Sequence, residues 1–401
     1  MSGRVVLGVS GGIAAYKSVE VLRLLQRHGC SVRVIMTRHA AEFVHPRTFA
    51  VLSGHAVEVD QWQRGAEPGV DHVELSHWAD LLLVAPATAN ILSKMAAGVA
   101  DDALTTYHLA HRRQLLVAPA MNTIMWRQPA VRQAVATLKE RSAEVVEPGT
   151  GELACGDEGE GRLATPEAIV HRVLSMLPRR GPLAGVRVLV TAGPTREAVD
   201  LVRVLTNRSS GRMGTALASV AFGLGADVTL IHGPMQAPLP LGVESVRVES
   251  AADMGDELER RLDGVDVALL AAAVADLRPA EIVPGKLDRR DGDMSLALAP
   301  VPDLAAAVGA RPRRPYLVIF AAEAGLLADR ARAKMHAKGA DAVVLNDVSA
   351  AGIGMEAADN EAWLIAASGS EHHLPRADKE EIARGILLGL SGELLAHRAR
   401  R

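Results

Sequence analysis

The chain has 401 residues, 49% of them hydrophobic, and a formal net charge of -3 at pH 7. That length suits two domains better than one, and that hydrophobic content excludes a disordered chain. The absence of a long basic block removes the electrostatic footprint of nucleic-acid binding, no apolar run reaches the roughly 18 to 20 residues that span a bilayer, and two cysteines, Cys30 and Cys155, are too few for a disulfide framework or a cysteine-rich metal site.

Small molecules are therefore the expected partners, with neither nucleic acid nor membrane. The N-terminal "MSGRVVLGVSGG" enters a strand-like run without the regions of a signal peptide, so a cytoplasmic location is expected. Short apolar runs then alternate with helix-period segments. In the first half they are "RVVLGVS", "CSVRVIMT", "ADLLLVAPAT", "QLLVAPAM" and "AEVVEP"; in the second, "VRVLVTAGP", "DVTLIHGP", "DVALLAAAVAD", "YLVIFAAE" and "DAVVLND". Continuous rather than alternating hydrophobicity belongs to strands covered on both faces, as in parallel sheets flanked by helices. Each half is predicted to be a doubly wound α/β domain. The polar "LPRRGPLAG" after the helical pattern "TPEAIVHRVLSML" marks the boundary, giving domains 1–180 and 181–401.

In such sheets ligands bind beyond the C-terminal ends of the strands. Ser10, Gly11 and Gly12 follow the first strand and open a helix, where small residues let backbone N–H groups approach an anion; the spacing is not that of a dinucleotide fingerprint. Thr37, the "PATAN" stretch with Pro86, Thr88 and Asn90, and "PAMNTIMW" with Met121 and Asn122 add polar groups at further strand ends. Taken singly, Asn90 and Asn122 read more readily as helix N-caps than as ligand contacts. His72 and His77 precede the third strand, and spacing alone prefers neither as a base. Cys155, in "GTGELACGDEGEGR", lies in a stretch dominated by glycines and carboxylates, with too few apolar residues to bury it, whereas Cys30 sits in a strand-like run and is expected in the core.

Four of these motifs in one order, "SGGIAAYK", "HVEL..WADLLLVAPATAN", "PAMNTIMW" and "ACGDEGEGR", resemble the flavin-dependent cysteine decarboxylases, specifically the decarboxylase half of the bifunctional family that joins phosphopantothenoylcysteine decarboxylase to phosphopantothenate–cysteine ligase. The likeness covers nearly all of residues 4–177. It implies a flavodoxin-like fold, a homo-oligomer, and FMN held by Ser10, Gly11, Gly12, Thr37, Pro86, Thr88 and Asn90. It further implies His72 as catalytic histidine, Asn122 with Met121 as substrate-binding residues, and Cys155 as proton donor on a flap. The chemistry needs such a set. Direct loss of CO2 from an N-acyl cysteine has no electron sink, whereas oxidising the thiol to a thioaldehyde places C=S beta to the carboxylate, and a flavin supplies that oxidation. The enethiolate left behind then needs reduction and a proton.

In the second half, "TNRSSGRMG" offers an amide, hydroxyls, arginines and glycines ahead of a helix, a cradle for phosphate or an oxyanion. With "AAVAD", "PGK", "VPDL", "FAAE", "KMHAK" and "LND" it resembles the ligase half over residues 186–391. The resemblance implies Asn207 acting on an acyl-cytidylate, and a CTP site that includes Asp276, Lys286, Pro302, Asp303, Phe320, Lys334 and Lys338. Phosphopantothenate, cysteine and CTP are then the substrates, with Mg2+ as cofactor; its ligands stay open. Lys334 and Lys338, four residues apart on one helix face, read without the resemblance as a solvated basic face. Leu277, Asp288, Val301 and Ala324 depart from the family pattern. They motivate an alternative in which the decarboxylase is active and the ligase half degenerate; a flavin-binding regulatory protein without chemistry is a third reading, against which His72 and Cys155 argue.

Overall fold

The computed structural model describes residues 3–59, 72–152, 156, 158–287, 295–323, 327–347, 357 and 359–400, and the chain divides into two compact units, Met1–Pro178 and Arg179–Arg401.

The first unit is built on a parallel sheet of β1 (Arg4–Val9), β2 (Ser31–Met36), β3 (Leu81–Ala87), β4 (Gln114–Pro119) and β5 (Glu144–Val145), in the spatial order β2-β1-β3-β4-β5. All seven residues of β3 and five of six in β1 are buried, which is why these runs show no polar alternation. Helix Lys17–Arg27 turns Val21, Leu22 and Leu25 inward, and helix Ala103–Ala110 starts at an Asp102/Thr105 capping box. Cys30 is buried, and burial pushes its thiol up to about 11. An antiparallel pair, β6 (Gly149–Glu152) and β7 (Glu158–Arg162), follows the sheet. Cys155, between these strands in sequence, lies outside the described residues.

The second unit contains β8 (Arg187–Ala192), β9 (Arg196–Ala198), β10 (Val204–Thr206), β11 (Asp227–His232), β12 (Glu244–Arg247), β13 (Val267–Leu270), β14 (Leu277–Pro279), β15 (Leu298–Pro300), β16 (Tyr316–Glu323), β17 (Ala342–Asp347), β18 (Asp359–Ala366) and β19 (Glu371–Asp378). Its main sheet runs β12-β11-β8-β13-β16-β17-β18-β19, parallel as far as β17 and antiparallel beyond. The first six positions follow the Rossmann order, with strand order reversing between β8 and β13. Gly214 lets helix Arg212–Gly223 lie against β8, since a Cβ there would sit 2.4 Å from the Ala192 Cβ. The pairs β9–β10 and β14–β15 are separate two-stranded ribbons.

The antiparallel extension was not expected from the sequence, which suggested strands only through "DAVVLND". β18 alternates buried and partly exposed residues and β19 is almost wholly exposed, with Pro375 tolerated because the strand lies at the edge. Half-covered strands lack the continuous apolar run that marked the others. Among the described residues, no helix is long and apolar enough to cross a membrane.

Candidate functional sites

In the first unit the strand order reverses between β1 and β3, and a cavity of about 1240 Å³ opens there. Ser10 ties the two strand ends together. Its hydroxyl donates to Pro86 O at 2.8 Å, lies 3.1 Å from Thr88 Oγ1, and accepts from Thr88 N at 3.1 Å. The cavity is lined by Ser10, Gly11, Gly12, Thr37, Pro86, Thr88, Asn90, Met121 and Asn122, so folding brings together every residue that the resemblance implied for flavin and substrate carboxylate, apart from those supplying proton chemistry.

Local structure distinguishes their roles. Thr88, not Asn90, is the N-cap of helix Ala89–Ala97; Asn90 lies inside the helix, exposed on the cavity side. Asn122 does cap helix Thr123–Arg127, its Oδ1 accepting from Ile124 N at 2.7 Å, and it lines the cavity as well. The cap and binding readings are thus compatible for Asn122. Thr37 caps the short helix Arg38–Ala41 through Ala40 N at 3.2 Å.

A flavin mononucleotide fits this lining. Ile13, Met121, Met125 and Leu163 give an apolar wall for a ring, strand-end hydroxyls and amides surround it, and the turn Ile13–Tyr16 begins at Gly12 without a side-chain cap. Gly11 admits no side chain: a Cβ would stand 2.4 Å from the His39 Cβ and 2.8 Å from its carbonyl carbon. We expect Gly11→Ala to displace the segment at His39 and lower flavin retention by about tenfold, read as the flavin absorbance left after gel filtration; full retention would show that the turn tolerates the shift.

His72 is the first residue of helix His72–Trp78, exposed, and not among the described residues lining this cavity; His77 is exposed too. The cavity also recruits Lys94 and Asp101, whose ammonium and carboxylate oxygens are 2.8 Å apart. Sequence reasoning overlooked them. The Asp102-to-Thr105 capping spacing beside Asp101 was the available signal.

In the second unit a cavity of about 620 Å³ lies at the reversal between β8 and β13, lined among others by Asn207, Asp276, Pro302, Asp303, Phe320 and Lys338. Thr191 Oγ1 accepts from Ala272 N at 3.1 Å and the buried Thr195 Oγ1 from Ala275 N at 3.0 Å, pinning the "AAVAD" segment. Asn207 Nδ2 donates to Val274 O at 2.9 Å on that segment. Asp303 caps helix Leu304–Gly309, accepting from Ala306 N at 3.0 Å, and its other oxygen meets Lys338 Nζ at 3.2 Å. Burial raises the Asp303 carboxyl, but the Ala306 N–H and Lys338 outweigh it and hold it below the usual carboxylate range.

Two expected nucleotide contacts do not line this cavity. Lys334 pairs with the buried carboxylate of Glu323, which Arg330 also approaches at 3.5 Å, so the four-residue spacing did not turn Lys334 and Lys338 toward one ligand. Lys286 is exposed on a segment fastened elsewhere: Leu287 N donates to Asp200 Oδ2 at 3.0 Å, and Arg203 Nη1 to Leu287 O at 3.1 Å. Of the unusual residues, Val301 lines the cavity and donates its N–H to Asp276 O at 2.9 Å, Leu277 is exposed, and Asp288 and Ala324 lie outside the described residues.

Comparison with known proteins gives the same division. Residues 2–177 match the family model described as Flavoprotein, and residues 183–392 match that described as DNA/pantothenate metabolism flavoprotein C-terminal domain. The Coenzyme A biosynthesis bifunctional protein CoaBC of Vibrio vulnificus is 42% identical over 387 residues, covering 96% of each chain. That of Mycobacterium bovis is 43% identical over 400 residues, covering 96% of this chain and 95% of its own. A solved C-terminal domain of a CoaBC protein is 36% identical with a TM-score of 0.47, covering 54% of this chain and all of that one. Both halves are matched by family models, and the relatives are aligned across almost their whole length: the chain belongs to the family of coenzyme A biosynthesis bifunctional proteins.

Proposed function

We propose that the second unit joins 4'-phosphopantothenate to cysteine at the expense of CTP through an acyl-cytidylate, and that the first decarboxylates 4'-phosphopantothenoylcysteine to 4'-phosphopantetheine with FMN. The observation that carries this reading is the presence of two separate strand-reversal clefts, one lined by the flavin set and Asn122, the other by Asn207, Asp276, Asp303 and Lys338.

In the first cleft FMN supplies the electron sink that the departing carboxylate lacks. Ser10, Thr88 and the uncapped turn at Gly12 orient that group, while Asn122 grips the substrate carboxylate. His72 acts as base and Cys155 gives the last proton. Because His72 stands exposed and off the cavity that Asn122 lines, we read the complete site as shared between copies of the chain in a homo-oligomer.

In the second cleft the carboxylate of phosphopantothenate attacks the α-phosphorus of CTP, pyrophosphate leaves, and the amine of cysteine displaces CMP. Lys338 offsets phosphate charge with Mg2+, for which Asp276 and Asp303 are the acidic residues in the lining, and Lys286 acts from outside that lining. Lys334 serves Glu323 instead. The direct test is to incubate the protein with phosphopantothenate, cysteine, CTP, Mg2+ and FMN and identify products by mass. Phosphopantetheine supports the reading, accumulation of phosphopantothenoylcysteine sinks the decarboxylase, and no amide product sinks the ligase.

Asp200 holds the backbone at Leu287, the residue after Lys286. Its buried carboxylate accepts from Val202 N at 2.7 Å, Arg203 N at 2.6 Å and Leu287 N at 3.0 Å. Burial raises this carboxyl, but those N–H groups and the Arg203 guanidinium outweigh burial and leave it well below the usual range. A lowered folded pKa means that the stabilisation is full above the ordinary carboxylate pKa and is lost only as the pH falls through the lowered one. Lys286→Gln and Asp200→Asn should each raise the apparent CTP requirement about tenfold, the order of one charge-assisted hydrogen bond, while decarboxylation is unchanged. Unaltered CTP dependence in Lys286→Gln would make that lysine a solvated side chain.

A further inference from the structure

Four lysine and arginine side chains line the first cavity: Lys17, Arg38, Lys94 and Arg162. Lys94 is taken by Asp101, both of whose carboxylate oxygens lie 2.8 Å from its Nζ. Arg38 directly follows the N-cap Thr37, and Lys17 follows the turn Ile13–Tyr16 that starts at Gly12, so both stand on segments that the flavin set already occupies. Arg162 stands elsewhere. It ends β7, whose Gly161 O accepts from Met121 N at 2.9 Å; a Cβ on Gly161 would lie only 2.4 Å from Met121 O. This strand is therefore seated on the turn that presents Asn122.

Arg162 is exposed and has no carboxylate partner among the described residues. Glu160, two residues earlier on the same strand, turns to Arg127 at 3.9 Å instead. The Arg162 Nη1 lies 3.3 Å from where a Cβ on Gly151 would stand, so the guanidinium rests against β6. An arginine without a counter-ion in a concave wall offers its N–H donors to a ligand, and its planar fork matches the oxygens of a carboxylate or a phosphate. The substrate of the decarboxylation carries both groups, one at each end. We propose that Arg162 is a substrate-binding residue of the first cavity, pairing its guanidinium with an anionic group of the acylated cysteine. The proposal rests on the decarboxylase reading, which places that substrate beside Asn122. Carboxylate and phosphate present the same chemistry to a guanidinium, and the test separates them.

The test uses the full chain loaded with FMN and two ligands that cannot be decarboxylated through thiol oxidation. Phosphopantetheine keeps the phosphate and lacks the carboxylate; pantothenoylserine keeps the carboxylate and lacks both the phosphate and the oxidisable thiol. The change in flavin absorbance on binding reports the first cavity alone. Arg162→Met, which keeps the apolar stem and removes the charge, should weaken one ligand about tenfold or more and leave the other within about twofold. Loss confined to phosphopantetheine assigns Arg162 to the phosphate, and loss confined to pantothenoylserine assigns it to the carboxylate. Arg162→Lys should recover part of the loss. Parent-like binding of both ligands by Arg162→Met overturns the proposal. Equal weakening of both does so too, because Arg162 would then only support the ribbon, and so does a loss of FMN retention that riboflavin does not share, which would move the residue to the cofactor phosphate. If the parent binds the ligands through Arg162 but makes no phosphopantetheine from phosphopantothenoylcysteine, the proposal stands and the decarboxylase reading falls.

A measurement on the unaltered protein covers the case of a variant that does not fold. Phenylglyoxal modification of arginines, read by mass spectrometry, should slow at Arg162 when phosphopantetheine or pantothenoylserine is added, with exposed Arg23 of helix Lys17–Arg27 as the unaffected reference. Equal modification of Arg162 with and without both ligands would also overturn the proposal.

Discussion

Cys155→Ser is expected to release CO2 from phosphopantothenoylcysteine and yet to form the saturated thiol at least about 100-fold more slowly than the parent, because it impairs only the last proton transfer. Serine preserves size and hydrogen bonding. It replaces a donor of pKa about 8.5 by a hydroxyl far above neutrality, so proton delivery at pH 7 fails after the carboxylate has gone. His72→Asn removes the earlier base and should stop both CO2 release and bleaching of the flavin absorbance. CO2, absorbance and product mass, followed together, separate the two variants. Saturated product from Cys155→Ser at the parent rate would make the cysteine a bystander. The position of His72 off the cavity lined by Asn122 adds a second readout: a refolded mixture of His72→Asn with Asn122→Ala should regain activity that neither has alone if the site is shared between copies. A mixture as inactive as its parts would place both groups in one chain's site.

Asn207→Asp should lower ligation by about 100-fold or more and leave decarboxylation unchanged. Asn207 Nδ2 donates to Val274 O at 2.9 Å and approaches Ala273 O at 3.4 Å, so the amide is oriented by two carbonyls of the segment that ends in Asp276. A carboxylate has no proton for either carbonyl and would turn away from them, carrying a negative charge into a cleft that must hold phosphates. Loss of the oriented group and the added repulsion act in the same direction, each on the scale of a displaced oxyanion contact. Initial rates of CMP release and of decarboxylation, measured on the same folded sample, test this. Equal loss of both activities would show that the two clefts are not independent.

The strands that build both sheets could be read from the chain because their hydrophobicity is a local consequence of burial on two faces: β3 is buried throughout, and its sequence, LLLVAPA, is apolar throughout. The same holds for the strand-end polar groups. Ser10, Thr37, Thr88 and Asn122 each follow a strand directly or within a few residues, and topology then carries those ends to one side of the sheet. Local rules failed wherever the outcome depended on a partner remote in sequence or on half-coverage. β18 and β19 are covered on one side or neither, so they carry no continuous apolar run.

The charged residues show the limit most clearly. Lys334 and Lys338 have the same spacing from any view of the sequence, but one meets Glu323 and the other Asp303, because β16 and the cap of helix Leu304–Gly309 present different carboxylates to the two turns. Lys379 starts helix Lys379–Arg400, yet folding buries it on the second cleft, which Arg212, 167 residues earlier in the chain, also lines. Periodicity follows from backbone geometry and is written into neighbouring residues. The pairing and dehydration of a charge depend on which distant surfaces are brought against it, and only the tertiary structure decided that.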